Sequence, residues 1–353
     1  MLLEQVSRHA VLLERLKAGE VKKFQTTLRQ VDTQVRDQLT RKELTTYSRN
    51  RLEEFLGGVG GKLLSIYQAF GERMQADLVD IALYEAAFEG RSLAEALLID
   101  AIMPADSLLR AAINTKPLQV AGIDGGKLLK PFLKDWTRTE STRVTNAIRL
   151  GVVQGKTNAE ITQAIRGTAA QNFTDGVLAV SNRNAKAVVH TAVQHVATTA
   201  RMETLAANAE FIPGYRIVAT LDRKTSVLCK SLDGREFEAG KGPVPPFHIK
   251  CRTTIVPITK LSEVLADGAT RASVGSSGGA QVSAGLSYYQ WLKTQPATFQ
   301  DAALGPVRAK LFRDGGLTAE RFAALQLDKN FKPLTLDQLK ELEPLAFQRA
   351  GIN

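Results

Sequence analysis

The sequence predicts a mainly α chain with a small β element, an α+β protein whose long helices outweigh its strands. Three observations carry this. Apolar residues recur every three or four positions over the first 40 residues and again over 63–81, the period that lines one face of a helix. The same period returns between 127 and 208 in sequence rich in Ala and Thr. Between 215 and 256 it gives way to short β-branched runs separated by Pro, Gly and Asp.

Val21, Phe24, Leu28, Val31, Val35 and Leu39 form one stripe and predict an amphipathic first helix that needs a partner. Gly57-Gly58 and Gly60-Gly61 are expected to break the pattern, because glycine inside a helix costs roughly 1 kcal/mol relative to alanine. A second helix is predicted through Leu63, Ile66, Phe70, Met74, Leu78 and Ile81. Ser92, with Glu95 three residues on, has the form of a capping box, so a further helix is expected to start there and to end or be interrupted at Pro104. The first 115 or so residues thus read as a helical bundle or hairpin, with nothing catalytic in them.

Beyond the glycines of 122–126, a helix is expected from about Lys127 to Val153. A short helix should follow the capping box of Thr157 and Glu160, and a longer one should cover 181–208 with Val189, Val193, Val196 and Ala200 on one stripe, closed by Pro213-Gly214. The runs 215–220 and 253–256 read as strands, and Asp233-Gly234 between Leu232 and Phe237 as a hairpin turn. Residues 272–285 hold eight Ser or Gly in fourteen, which predicts a flexible tether. Its end-to-end distance would be roughly 20 Å. Tyr288 to Leu292, Phe299 to Phe312 and a third capping box at Thr335 and Gln338 predict a compact helical module, with Tyr288, Tyr289 and Trp291 as core aromatics rather than base-stacking groups. The domains expected are a helical region 1–120, a helix-plus-strand domain 121–265, a Ser/Gly-rich linker 266–285 and a helical module 286–353.

Composition bounds the rest. The 353 residues, 44% apolar and 23% charged, suffice for two or three domains with cores of their own and exclude collagen, coiled-coil rods and wholly disordered chains. The longest apolar stretch without a charge, 187–200, is interrupted by His190 and His195 and is too short for a bilayer span of about 20 residues. Glu4, Arg8, Glu14 and Arg15 occupy the place of a signal peptide's apolar region, which predicts a cytoplasmic chain. Two cysteines cannot build a disulfide framework, so stability is expected to come from burial. The net charge of +10 is uneven: ten basic against six acidic residues over 1–50, four against nine over 51–100, and eight against four over 101–150. Such an excess favours non-specific contact with nucleic acid through counterion release, and equally serves solubility.

Both cysteines fall in one short segment with one of the four histidines. It runs Asp222, Arg223, then Cys229, then Leu232-Asp233-Gly234, then Pro245-Pro246-Phe247-His248-Ile249-Lys250-Cys251-Arg252. Two thiolates and an imidazole suit tetrahedral zinc, with Asp222 as a fourth ligand, and His248-x-x-Cys251 is a pair that a single turn presents. The spacing allows zinc without demanding it, since zinc modules usually repeat a short ligand pair on both sides. In the competing reading the cysteines are small buried apolar groups, His248 bonds a backbone carbonyl, and Asp222 caps a turn or pairs with Arg252. His190 and His195 are five apart, about 140° around a helix, and do not share a ligand. No phosphate-binding glycine loop, nucleophile elbow or His-Glu-x-x-His pattern is present.

This segment resembles the head-morphogenesis domain of tailed phages, the minor head protein family named after the F protein of phage Mu. Members of that family typically show Asp-x-Arg, a cysteine before Leu-Asp-Gly, and Pro-Pro-x-His-x-x-Cys-Arg. Gly151 to Gly155, Asn158 to Ile165 and the Ala- and Thr-rich helix after them fit the family order, so the likeness covers roughly residues 140–260. Departures are Ser226 and Thr253 where members often carry further cysteines, and His190-Thr191-Ala192 where the family has Arg-Thr-Glu. The resemblance implies a non-enzymatic minor head protein of the virion, placed in the head interior near the portal after assembly in the host cytoplasm, and acting in DNA packaging, retention or ejection. Its implied partners are the portal and other head proteins, packaged DNA without sequence reading, and further copies of itself, with no membrane partner during assembly. Asp222, Arg223, Asp233, Gly234, Pro245, Pro246 and Arg252 would form the structural motif, with Cys229, His248 and Cys251 around a structural zinc or none. The rival is a metal-dependent, HNH-like nuclease, a chemistry that needs a general-base histidine beside a ligand of the catalytic metal.

Overall fold

The computed structural model describes residues 2–42, 44–260 and 268–352, and it is mainly α with two small sheets. Helix α1 spans Leu2–Thr40 and α2 Arg49–Leu97. They are followed by α3 Asp106–Thr115, α4 Leu129–Val153, α5 Asn158–Arg166 and α6 Val177–Ala207. The strands are β1 Gly214–Val218, β2 Leu221–Asp222, β3 Glu236–Glu238, β4 Thr254–Ile258, β5 Thr270–Gly275 and β6 Gly278–Ser283, with α7 Val227–Leu232 between β2 and β3. The chain closes with α8 Tyr288–Lys293, α9 Ala297–Leu304, α10 Pro306–Asp314, α11 Ala319–Ala324, α12 Leu336–Leu342 and α13 Pro344–Arg349. Among the described residues no helix is long and apolar enough to cross a membrane.

α1 follows the periodicity of its sequence: Val6, Leu13, Phe24, Val31, Val35 and Leu39 are buried, and the polar His9, Lys17, Glu20 and Thr27 are buried on the same seam. α2 departs from expectation. It is one helix through both glycine pairs, and Ser92 lies buried inside it rather than at a start. The cause is tertiary burial. Leu52, Leu56, Val59, Leu63, Tyr67 and Phe70 keep the buried seam continuous, and each contributes roughly 1.5–3 kcal/mol, against about 1 kcal/mol lost per glycine. α2 ends at Leu97, Leu98 takes φ 55°, and Pro104 lies in the loop before α3.

The chain forms two compact units, neither of them a single run of sequence: one comprises 1–12, 84–106 and 198–353, the other 13–83 and 107–197. This division cuts across the sequential domains expected from the sequence. In the unit of 13–83 and 107–197, Phe24 meets Phe70 edge-on at 5.0 Å and Trp136 at 5.4 Å between ring centroids. The capping box before α5 is present as expected, with Thr157 accepting from the Glu160 amide while Glu160 accepts from the Thr157 amide.

In the unit that carries the strands, β1 pairs antiparallel with β3 on one side and β4 on the other, with Tyr215 opposite Phe237 and Pro257. The second sheet runs β2-β5-β6, with β2 parallel to β5 and β5 antiparallel to β6. The expected tether is therefore a β-hairpin. Residues 266 and 267 of the expected linker lie outside the described residues, but 270–283 pair in register from Thr270 opposite Ser283 to Gly275 opposite Gly278. Composition concealed an alternation in which Arg271 and Ser273 face inward. The core beneath the first sheet joins Tyr215, Ile217, Leu232, Phe247 and Ile255 to Val6 of α1 and Leu93 of α2. A second core gathers Tyr288, Tyr289, Trp291, Phe312 and Phe322, so the aromatic cluster is core, as expected.

Candidate functional site

The motif residues build two buried ion pairs, and each aspartate anchors a turn. Asp222 closes β2, and its Oδ1 accepts the backbone amides of Lys224 and Thr225, both at 2.9 Å, and the Thr225 hydroxyl at 3.0 Å. Arg252 grips the same carboxylate with two bonds, of 2.7 and 3.0 Å. Burial works to raise the Asp222 pKa, but the guanidinium, together with the hydrogen bonds from Thr225 and Lys224, outweighs it and holds the carboxyl below its ordinary range. The backbone carbonyl of Asp222 accepts the Tyr288 hydroxyl at 2.7 Å, which ties the motif to the second core. Arg223 lies exposed and apart from this cluster.

Asp233 is not part of a hairpin turn. It caps the C-terminal end of α7, and the chain passes through Gly234 directly into β3. Gly234 has φ +81°, a backbone region open to glycine at little cost, and its amide donates to Ile217 O at 2.8 Å. The Asp233 carboxylate accepts from the Ala219 amide at 2.7 Å and from Arg271 at 3.0 and 3.1 Å. Arg271 also donates to Ala219 O and, at 3.3 Å, to Leu286 O. The hairpin is thus pinned by an ion pair whose acid comes from the motif and whose base lies on β5, just before the Gly/Ser run.

Cys229, His248 and Cys251 converge, with their three ligand atoms all within 4.8 Å of one another. Cys229 is placed by α7, where Ser226 caps the helix by accepting the Cys229 amide at 3.2 Å. His248 and Cys251 are brought together by a single turn, with the Cys251 amide donating to His248 O at 3.1 Å. The Pro245–Pro246 peptide bond before them is cis, and Pro245, Pro246 and Phe247 are buried. Cys229 Sγ lies 3.2 Å from His248 Nε2 and 3.7 Å from Cys251 Sγ. The two thiols are 2% and 0% exposed, whereas His248 is half-buried. The hydrogen bond to Cys251, together with burial, pushes the Cys229 thiol well up. Burial opposes the shift of Cys251, but its bonds to Cys229 and His248 hold that thiol well down. Burial alone would lower the His248 pKa; the Cys251 sulfur and the Ile249 carbonyl together outweigh it and raise it. Asp222, expected as a fourth ligand, is occupied by Arg252.

Several charged residues around the site escaped the sequence reading. Arg201 on α6 is 2% exposed, bonds Thr254 and, at 3.1 Å, Ile255 O on β4, and faces Glu85 at 3.3 Å and Glu89 at 2.8 Å. The contact with Glu89 is an ion pair without hydrogen-bond alignment. Burial pushes the Glu89 carboxyl up, against the Arg201 charge. His9 bonds Glu85 and stacks on Phe88 with ring centroids 3.6 Å apart. The only available signal was polar residues falling on an otherwise apolar seam. Lys230 of α7 is 3% exposed and donates to Ala303 O at the end of α9, and burial pushes its pKa down to about 8. In the other unit, His190 lies 3.8 Å from Glu14, and His195 is buried; their ligand atoms form no cluster among the described residues.

With this geometry in place, the chain can be compared with known proteins. The family model described as Phage Mu protein F like protein matches residues 142–256, about a third of the chain. No curated protein and no solved structure matches. The match covers the motif from Asp222 to Arg252 and supports the head-morphogenesis resemblance over that segment.

Proposed function

We propose that this chain, with its Phage Mu F-like segment at 142–256, is a minor head protein of a tailed phage. In this reading it enters the procapsid near the portal, lies in the head interior, and acts in DNA packaging, retention or ejection. The observation that carries it is the family match, which falls on a motif whose acids are spent on structure. Asp222 is gripped by Arg252 and Asp233 by Arg271, so neither carboxylate is available for proton transfer or for holding a catalytic metal. The charge of +10 favours non-specific contact with packaged DNA, with the portal and further copies of the chain as its protein partners.

The nuclease alternative finds less support. His248 Nε2 faces a sulfur and its Nδ1 bonds Ile249 O at 2.9 Å, so the imidazole is engaged on both sides. Mass spectrometry of purified procapsids and mature particles tests the proposal: the chain is expected in at least one of them in few copies, and its absence from both overturns the reading. Incubation with plasmid and magnesium tests the rival. Cleavage that disappears in His248→Ala would favour the nuclease.

A further inference from the structure

We infer that Cys229, His248 and Cys251 hold one zinc ion, which staples α7 to the proline-rich loop. Ligands at zinc distances of about 2.0–2.3 Å sit roughly 3.3–3.8 Å from one another on the vertices of a tetrahedron. The measured separations of 3.2 Å between Cys229 Sγ and His248 Nε2 and 3.7 Å between the sulfurs are close to such edges. Ordinary packing of two thiols gives no reason for an imidazole nitrogen to complete the triangle.

A second observation points the same way. His248 donates its Nδ1–H to Ile249 O at 2.9 Å, which fixes the tautomer and leaves the Nε2 lone pair directed at the sulfurs. Metal-bound histidines are held in this manner by a partner on the other nitrogen. Soft sulfur with imidazole selects zinc over magnesium or calcium, and the buried thiols shield the metal. The half-buried His248 side leaves the fourth vertex to a solvent molecule. On binding, each thiol releases its proton to solvent, so two thiolates balance the charge of the ion.

The ion has a local task. Between β3 and β4 the chain runs from Ala239 to Thr253 without a strand or helix, and Cys229 lies on α7, ahead of β3. A metal bond across this gap supplies cohesion where the loop has little core of its own. This inference is independent of the head-protein reading, because the metal content of the purified chain does not depend on whether it enters a particle.

The test is elemental analysis of the full chain purified without chelator, with cobalt as a spectroscopic substitute. One zinc per chain is expected in the wild type, with loss in Cys229→Ser and Cys251→Ser and weaker retention in His248→Ala. Cobalt added to the metal-free wild type should give a thiolate charge-transfer band and ligand-field bands of tetrahedral intensity. The wild-type cobalt spectrum keeps the test decisive even where a variant fails to fold. A folded wild type that holds no zinc, gives no such bands and melts unchanged in chelator overturns the inference, whether its thiols are free or joined as a disulfide.

Discussion

Arg271 shows how much one residue in an unpromising stretch decides. Its side chain is 5% exposed and its partner Asp233 is 0% exposed, so removing one charge strands the other out of water. Arg271→Met is expected to cost about 3–5 kcal/mol, and adding Asp233→Asn should restore part of that loss because the stranded carboxylate is gone. Urea unfolding of the two variants measures both; equal stability of the single and double variants would contradict the pairing. His195 gives a prediction in pH. It is 3% exposed, and burial pushes its pKa down to about 4 from an ordinary 6.5, so the folded protein keeps it neutral where the unfolded chain takes up a proton. Its contribution is present above pH 6.5 and is lost as pH falls from there through about 4, a change of about 3 kcal/mol. His195→Gln should flatten the acid limb of the stability profile in that window relative to wild type.

The helix α2 settles what its glycines do. A Cβ built at Gly57, Gly58 or Gly61 would meet nothing within 4 Å, so these positions carry only the conformational cost of glycine. Replacing all three with alanine is expected to stabilise the protein by about 0.5–1 kcal/mol at each position, read as a higher melting temperature. Gly151→Ala should act in the opposite direction, because its Cβ would fall 2.5 Å from Ile161 Cγ1. Helix α2 also shows where sequence reasoning stops. The capping boxes at Thr157 and Thr335 are legible because both halves lie within one turn and a non-helical break precedes each. Ser92 and Glu95 have the same form, but Leu93 and Ala96 beside them continue a buried seam that began 40 residues earlier, and local spacing does not distinguish a start from a middle. The hairpin of β5 and β6 was hidden for a related reason: its fully buried side chains are an arginine and a serine, not apolar residues, and the arginine's partner lies 38 positions away. In the site, the turn joining His248 to Cys251 was readable from spacing. The sequence offers Asp222 as a turn cap or as the partner of Arg252, and its carboxylate does both.

At the scale of the molecule, the family segment does not coincide with a unit of packing. Residues 142–256 match the family model, yet the core beneath their first sheet includes Val6 and Leu93, and the carboxylates facing Arg201 are Glu85 and Glu89. A fragment of residues 121–353 therefore loses buried apolar partners worth roughly 1.5–3 kcal/mol each. It also strands an arginine that is 2% exposed, at a cost of about 3–5 kcal/mol. Together these losses approach the whole stability of an ordinary domain, about 5–15 kcal/mol. The fragment is expected to lack a cooperative melt and to bind a dye that reports exposed apolar surface, while the full chain melts cooperatively. Within the full chain, Arg201→Met should be tolerated better when Glu85→Gln and Glu89→Gln accompany it, since the unpaired carboxylates then disappear. A fragment that melts as sharply as the intact protein would show that the N-terminal helices are accessories to the motif; failure of the fragment, with partial rescue in the triple variant, would show that they complete its core.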